Sequence, residues 1–186
     1  MIPQETMTTQ TEEVVAREGA GSNIPPHPSG QFPMRCIDLI DHGVVETTWK
    51  GTAKKRHRIS LRFWGGQYGE GAEGKKIPLW VDAWFTLSLN EKAALRPFLQ
   101  AWRGRPFNDE ELKGFNVAVL VGVDALVQLS HNRTADRTYC NIDSIMRLPK
   151  GMEGPGNLEG YVRVKDRPTD GDNGAHSSDP DDDMPF

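Results

Sequence analysis

Apolar and polar side chains alternate along several stretches of the chain. In residues 54–64, Ile59, Leu61 and Phe63 fall on one face of an extended strand, and polar or charged residues fall on the other. Because successive side chains of a strand point to opposite faces, this period of two predicts a half-buried strand. Five stretches have this alternation or a strand-like apolar run: 34–40, 54–64, 78–89, 123–132 and 138–148.

Between the third and fourth of these strands the period becomes that of a helix. Four apolar residues share one helical face, namely Leu95, Phe98, Leu99 and Trp102. Ser88 or Asn90 is expected to cap this helix, and Pro97 to kink or restart it. A second short helix is predicted at 109–113, with Asn108 as its cap.

The predicted elements follow one another as three strands, a helical segment and two strands. This is the element order of the OB-fold, a five-stranded Greek-key barrel that binds oligonucleotides in many proteins. The sequence therefore predicts an all-β OB-fold barrel, with the helices inserted between strands 3 and 4.

The two ends of the 186-residue chain lack the periodicity of the middle. Residues 1–30 are polar and then proline-rich, which predicts a disordered N-terminal arm. Residues 31–150 contain every predicted element and form the expected domain. Residues 151–186 are rich in glycine and aspartate and predict a flexible linker and an acidic tail.

The net charge of −4 conceals a segregation of charge along the chain. Residues 1–30 carry −3 and residues 170–186 carry −6, which leaves +5 for residues 31–169. A basic body joined to an acidic tail is typical of a protein that binds polyanions.

The sequence offers little for other classes of function. No apolar run is long enough for a membrane span, and no secretory signal is recognisable at the start. Cys36 and Cys140 fall in strand-like runs and are expected to be reduced core residues. The cysteines and histidines form no metal-ligand spacing, and His42, His57 and His131 have no recognisable catalytic partner. We therefore expect a cytoplasmic, non-enzymatic protein without metal or cofactor.

The polar faces of the second and third strands combine cations with indole rings. Their members are Arg56, Arg58, Arg62 and Trp64 on the second strand and Trp80 and Trp84 on the third. Cations neutralise phosphates and flat rings stack on unpaired bases, so this face predicts a surface for single-stranded nucleic acid. The alternative is that the indoles form a second core layer, but that layer would also bury Arg58 and Arg62, which lack obvious partners.

The loop 65–76 contains G-E-G-A-E-G and nearly matches a phosphate-binding loop. Both motifs require a turn from a strand into a helix, and here a strand follows. The sequence instead predicts a long flexible hairpin loop, from which Tyr68, Lys75 and Lys76 can fold onto a bound strand. A solvated loop with incidental lysines is the alternative. The complete set of candidate DNA contacts is Lys54, Lys55, Arg56, Arg58, Arg62, Trp64, Tyr68, Lys75, Lys76, Trp80 and Trp84.

The chain ends in "SDPDDDMPF", an acidic run followed by a penultimate proline and a terminal phenylalanine. This end closely resembles the C-terminal tip of bacterial single-stranded DNA-binding proteins. The candidate partner-binding residues of the tip are Asp179, Asp181, Asp182, Asp183, Met184, Pro185 and Phe186. Residues 34–151 resemble phage-encoded single-stranded DNA-binding proteins, through "RCIDLIDHGVVETTWKGTAKKRHRISLRFW", "FTLSLNEKAALRPFLQAWRGRPFNDEELKGF" and "YCNIDSIMRLPKG".

The resemblance implies an OB-fold that coats single-stranded DNA during phage DNA replication, recombination or repair, in the host cytoplasm. It also implies a tail that recruits replication or recombination proteins. The helical insert at 90–121 and the N-terminal arm depart from the bacterial proteins, so their tetramer is not assumed, although a homo-oligomer stays open. A protein-binding adaptor and an RNA-binding barrel are the alternative functions.

Deleting residues 179–186 is expected to strengthen DNA binding at low salt and to abolish partner recruitment. A tethered anion competes with DNA phosphates, and salt screens this competition. Phe186→Ala keeps the charge but removes the ring, so it should lose partners while self-competition persists. Titrations at two salt concentrations and pull-downs from host lysate measure both effects. Recruitment of the same partners by Phe186→Ala would contradict a specific role for the tip.

Overall fold

One antiparallel sheet of five strands organises the residues that the computed structural model describes, which are 25–49, 52–135 and 137–168. The strands are β1 (Gly30–Trp49), β2 (Thr52–Glu70), β3 (Lys76–Thr86), β4 (Asp124–Arg133) and β5 (Thr138–Arg147). They lie in the order β3-β2-β1-β4-β5. The helices are α1 (Leu95–Arg103) and α2 (Asp109–Lys113), between β3 and β4.

The prediction of a mostly β chain with helices between the third and fourth strands is confirmed. The sheet is open in its hydrogen-bonded order, with β3 and β5 as its edge strands. These edges approach each other across a cleft of about 390 Å³, which Pro25, Pro26 and His27 also line. The arrangement is compatible with an OB-like fold. Closure of the barrel and Greek-key topology stay predictions.

The first two strands are much longer than their apolar patterns. β1 and β2 pair with each other as far as Trp49 and Thr52, well beyond the region where β3 and β4 flank them. Their far ends form a two-stranded ribbon whose backbone groups are paired, although Val44, Glu46, Thr48 and residues 52–55 are exposed. Hydrophobic alternation marks burial rather than pairing, so this part of the strands gave no signal.

The glycine-rich segment between β2 and β3 is mostly strand. The ladder continues to Glu70 and Lys76, after an irregularity between Trp64 and Tyr68, and a single helical turn at Ala72–Gly74 closes the hairpin. The prediction of a long loop over 65–76 is therefore wrong in extent. Glycines in a strand weaken the pattern, which explains the misassignment.

The main core lies on the predicted apolar face of β2 and β3. Ile59, Leu61 and Phe63 are buried, and β3 contributes Leu79, Val81, Ala83 and Phe85. Leu87, within the predicted strand 78–89, lies beyond the end of β3 and is exposed. Helix α1 packs against this core through Leu95, Leu99 and Trp102.

Helix α1 starts later than the sequence indicates. Its N-cap is Ala94, which makes no side-chain capping bond, so the expected capping role of Ser88 or Asn90 is wrong. Those side chains instead accept hydrogen bonds from the Asn90 and Lys92 backbone N–H groups in the preceding turn. Pro97 lies in the first helical turn, where an intrahelical N–H bond is not required, and the helix continues through it.

Helix α2 has the predicted bounds and the predicted Asn108 cap. Asn108 and Glu111 form a capping box, in which each side chain accepts a hydrogen bond from the other residue's backbone N–H. The Glu111 carboxylate also pairs with Arg103 and Arg105, which ties α2 to the end of α1. The Arg105 guanidinium, the Asn108 backbone N–H and Arg103 together lower the pKa of Glu111 to about 2.

Residues beyond 150 extend the packed body past its predicted boundary. Leu158 and Tyr161 pack with Ile37 and Trp64 in a second apolar cluster. This cluster lies on the face of β2 opposite the main core, because Trp64 and the core residue Phe63 are neighbours on the strand. We call residues 158–167 the C-terminal strap.

Among the described residues, no helix is long and apolar enough to span a membrane.

Glu111→Gln is expected to lower the melting temperature at pH 7, because it removes the charge that α2 and both arginines share. Since the folded pKa is lowered, the stabilisation is present above the ordinary value of 4.5 and is lost as the pH falls through about 2. Thermal unfolding at pH 7 and at about pH 2.5 measures the difference. Glu110→Gln, whose exposed carboxylate pairs with exposed Lys113, is the control and should change little. An equal difference at both pH values would contradict the electrostatic origin.

Candidate nucleic-acid interface

The pairing of β2 with β3 brings the predicted cations and indoles onto one surface. The directly paired residues on the polar face are Arg58 with Thr86, Ser60 with Trp84, Arg62 with Asp82, and Trp64 with Trp80. The hairpin register therefore joins the two polar faces, as the alternation predicts. The positions along this surface nevertheless differ widely in exposure.

Trp84 is the most accessible indole of the surface, with 42% of its area exposed. Its ring stacks on His42 of β1, with the centroids 4.3 Å apart and the planes 22° from parallel. His42 Nε2 and Ser60 Oγ lie 2.9 Å apart, which fixes the imidazole. Burial lowers the pKa of His42, which favours the neutral ring. The pair forms a flat aromatic platform, of which the sequence predicted only the indole.

Trp80 is 37% exposed and lies beneath a guanidinium. The Cζ atom of Arg62 is 4.5 Å from the ring centroid. Arg62 also donates two hydrogen bonds of 2.7 Å to Asp82, and a longer one to the Tyr161 hydroxyl. The expectation that Arg62 lacks a partner is therefore wrong. Because most of its donors are engaged within the protein, its geometry suits positioning of Trp80 better than phosphate binding.

Trp64 is 5% exposed, so the expectation that it lies on an open face is wrong. Leu158 and Tyr161 of the strap cover it. At this position the alternative of a second apolar layer is correct. The strap has little periodic apolar signal, so the sequence did not show that anything would cover the indole. Tyr68, at the edge of Trp64, is 49% exposed.

A groove of about 830 Å³ lies beside Trp84. Arg56 and Arg58 line it from β2, and Lys92 and Pro97 line it from the segment that leads into α1. Lys92 was not predicted, because the sequence does not show that the turn before α1 comes back to the polar face. The groove joins an exposed indole to three cationic residues and to one acidic residue, Glu91.

The remaining predicted cations lie at the two ends of β2. Lys54 and Lys55 are exposed on the β1–β2 ribbon, whereas Lys75 and Lys76 are exposed at the β2–β3 turn. The predicted tail residues 179–186 lie outside the described residues. The basic residues are thus spread along the length of β2 and are not concentrated at one position.

The other reactive groups of the described residues have little chemistry to offer. Burial raises the pKa of the Cys36 thiol to about 12 and that of Cys140 to about 11, so both stay protonated at neutral pH. Cys36 is a buried core residue as predicted, whereas Cys140 is only partly buried. In the described part of the chain, no group of three or more histidines, cysteines and carboxylates is placed to hold a metal ion.

Comparison with protein-family models and with curated proteins found no match. The resemblance to single-stranded DNA-binding proteins therefore stays a prediction, and the function rests on the geometry of this surface.

Trp64→Ala should lower the free energy of unfolding by about 3–5 kcal/mol, because it opens a cavity beneath the strap. Trp84→Ala should cost about 1 kcal/mol or less, because 42% of its area is exposed and its truncation leaves no enclosed cavity. Urea unfolding followed by circular dichroism measures both variants. Equal losses would show that the two indoles have the same structural role. Trp64→Phe, which keeps most of the apolar volume, should lie between Trp64→Ala and the natural protein.

Proposed function

We propose that this protein binds single-stranded DNA without catalysing a reaction on it. The observation that carries the proposal is the exposed Trp84–His42 stack, which lies beside the groove lined by Arg56, Arg58 and Lys92. An exposed flat ring beside cations is suited to a chain of phosphates whose bases are unpaired. In a duplex the base faces are already stacked on one another, so this platform offers a duplex little.

The spacing of the two exposed indoles supports an extended ligand. Trp80 and Trp84 lie four residues apart on the same strand, which corresponds to roughly 13 Å. Two rings at that separation contact different bases of one strand. Stacking and charge neutralisation do not read base edges, so the proposed binding is tolerant of sequence.

The proposed fold is an OB-like barrel in which β3 and β5 close the sheet. The approach of these edges and the strand order β3-β2-β1-β4-β5 support it. The proposed DNA surface is then the outer side of the β2–β3 hairpin. The wider role is to coat single-stranded DNA in phage replication, recombination or repair, with the acidic tail as the recruiting element.

The natural protein is expected to bind oligo-dT in preference to duplex DNA, with tryptophan fluorescence quenched on binding. For each phosphate of a single strand that a protein cation neutralises, the slope of log binding constant against log salt concentration steepens by about 0.7. Trp84→Ala should weaken binding about 5- to 150-fold, which corresponds to the usual stacking contribution of about 1–3 kcal/mol per base.

Fluorescence or filter-binding titrations with oligo-dT, oligo-U and duplex DNA make this test. Val119→Ala is the matched control, since it truncates an exposed apolar side chain outside the sheet. Preference for oligo-U would favour the RNA-binding alternative. No binding to any nucleic acid, with partners still captured, would favour the adaptor. Binding insensitive to salt would contradict the proposed phosphate contacts.

A further inference from the structure

The C-terminal strap is held to the sheet by one buried carboxylate. Asp38 of β1 has no exposed area. Its Oδ2 accepts hydrogen bonds from the Tyr161 hydroxyl at 2.9 Å and from the Val164 backbone N–H at 2.8 Å. Its Oδ1 accepts one from Arg163 Nε at 3.2 Å. All three donors belong to the strap.

This arrangement makes the strap a fixed part of the fold. A buried carboxylate is costly unless its oxygens are paired, and hydrogen bonds to a charged acceptor are among the stronger ones. If the strap moved away, Asp38 would lose these three partners at once. Leu158 would also leave Trp64, and the apolar cluster would open. Attachment is therefore favoured by both charge and burial.

The attached strap extends the proposed DNA surface beyond Trp80 with a further aromatic ring and a further cation. The Tyr161 ring meets the exposed indole of Trp80 edge-on, with their centroids 6.1 Å apart. The Cζ atom of Arg167 lies 5.9 Å from the Tyr161 ring centroid, and Arg167 itself is exposed. Arg167 Nε donates to the Val162 carbonyl at 3.2 Å, which orients the guanidinium. The row runs from Trp80 through Tyr161 to Arg167.

We infer that the strap forms part of the nucleic-acid surface, with Arg167 as a further phosphate-contacting residue beside Trp80 and Asp38 as the residue that positions it. The inference rests on the proposed function and deepens it. A strand that stacks on Trp80 places its phosphates along the rim of that ring. Arg167 is an exposed cation of the strap that lies over the Tyr161 ring, and Tyr161 meets Trp80 edge-on. A guanidinium fits a phosphate because its donors form a planar fork.

The test measures oligo-dT affinity across a range of salt concentrations for three single variants. Arg167→Gln should weaken binding severalfold and lower the log–log salt slope by about 0.7, the contribution of one phosphate. Arg167→Lys keeps the charge and should retain most of the slope. Lys113→Gln is the control, because it removes one exposed charge from α2, which packs outside the strap cluster. Its slope should stay within error of that of the natural protein.

Asp38→Asn tests the positioning role. It should speed hydrogen exchange of the Val164 amide and lower the salt slope as Arg167→Gln does. Adding Arg167→Gln to Asp38→Asn should then change the slope little. If Asp38→Asn fails to fold, the Arg167 variants decide the inference alone.

The outcomes separate the inference from the function on which it rests. If the natural protein binds oligo-dT but Arg167→Gln has the same affinity and slope, the inference is overturned and the function stands. If the natural protein binds no nucleic acid, both fail. Rapid hydrogen exchange of the Val164 amide in the unaltered protein would show that the strap is not fixed, independently of the DNA-binding results.

Discussion

The antiparallel pairing of β2 with its two neighbours is the constraint on which the other features depend. One face of β2 supplies Ile59, Leu61 and Phe63 to the main core, while the other supplies Ser60, Arg62 and Trp64. Because the side-chain period is two, a shift of one residue would exchange these faces and place arginines in the core. The core thus fixes the register, and the register places Trp84 opposite Ser60 and Trp80 opposite Trp64.

The arginines of this surface lie in two different settings. Arg62 is committed to Asp82 and to the face of Trp80, and its side chain is only 13% exposed. Arg56 and Arg58 line the groove beside Trp84. A cation in a bidentate pair must give up that pair before it can bind a phosphate, so Arg62 is less suited to a phosphate contact than its place on the polar face indicates. Sequence position alone does not distinguish these situations, because all three arginines share one face of the same strand.

How much the sequence could predict depends on whether a contact is local. Alternation or a strand-like apolar run located all five strands, and the cap at Asn108 located α2, because each signal lies within the element itself. The polar face was predictable for the same reason. The burial of Trp64 was not, since its cover comes from a strap nearly a hundred residues later. His42 was missed because its role depends on a stack with another strand.

The strap also changes what the acidic end of the chain can do. If the linker began at residue 151, a tether of roughly twenty residues would connect the aspartates beyond 169 to the domain. The structure instead holds the chain at Asp38 through Val164, and Arg167 lies beside Tyr161 at the proposed DNA surface. The first aspartate of the tail, Asp170, follows Arg167 by three residues. The effective concentration of a tethered group falls as its tether lengthens beyond the span that it must cover. A tail anchored at the surface therefore competes with DNA phosphates more strongly than a tail on a free linker that starts at residue 151. The same buried carboxylate that holds the strap over Trp64 therefore sets the point from which the chain continues toward its acidic segment.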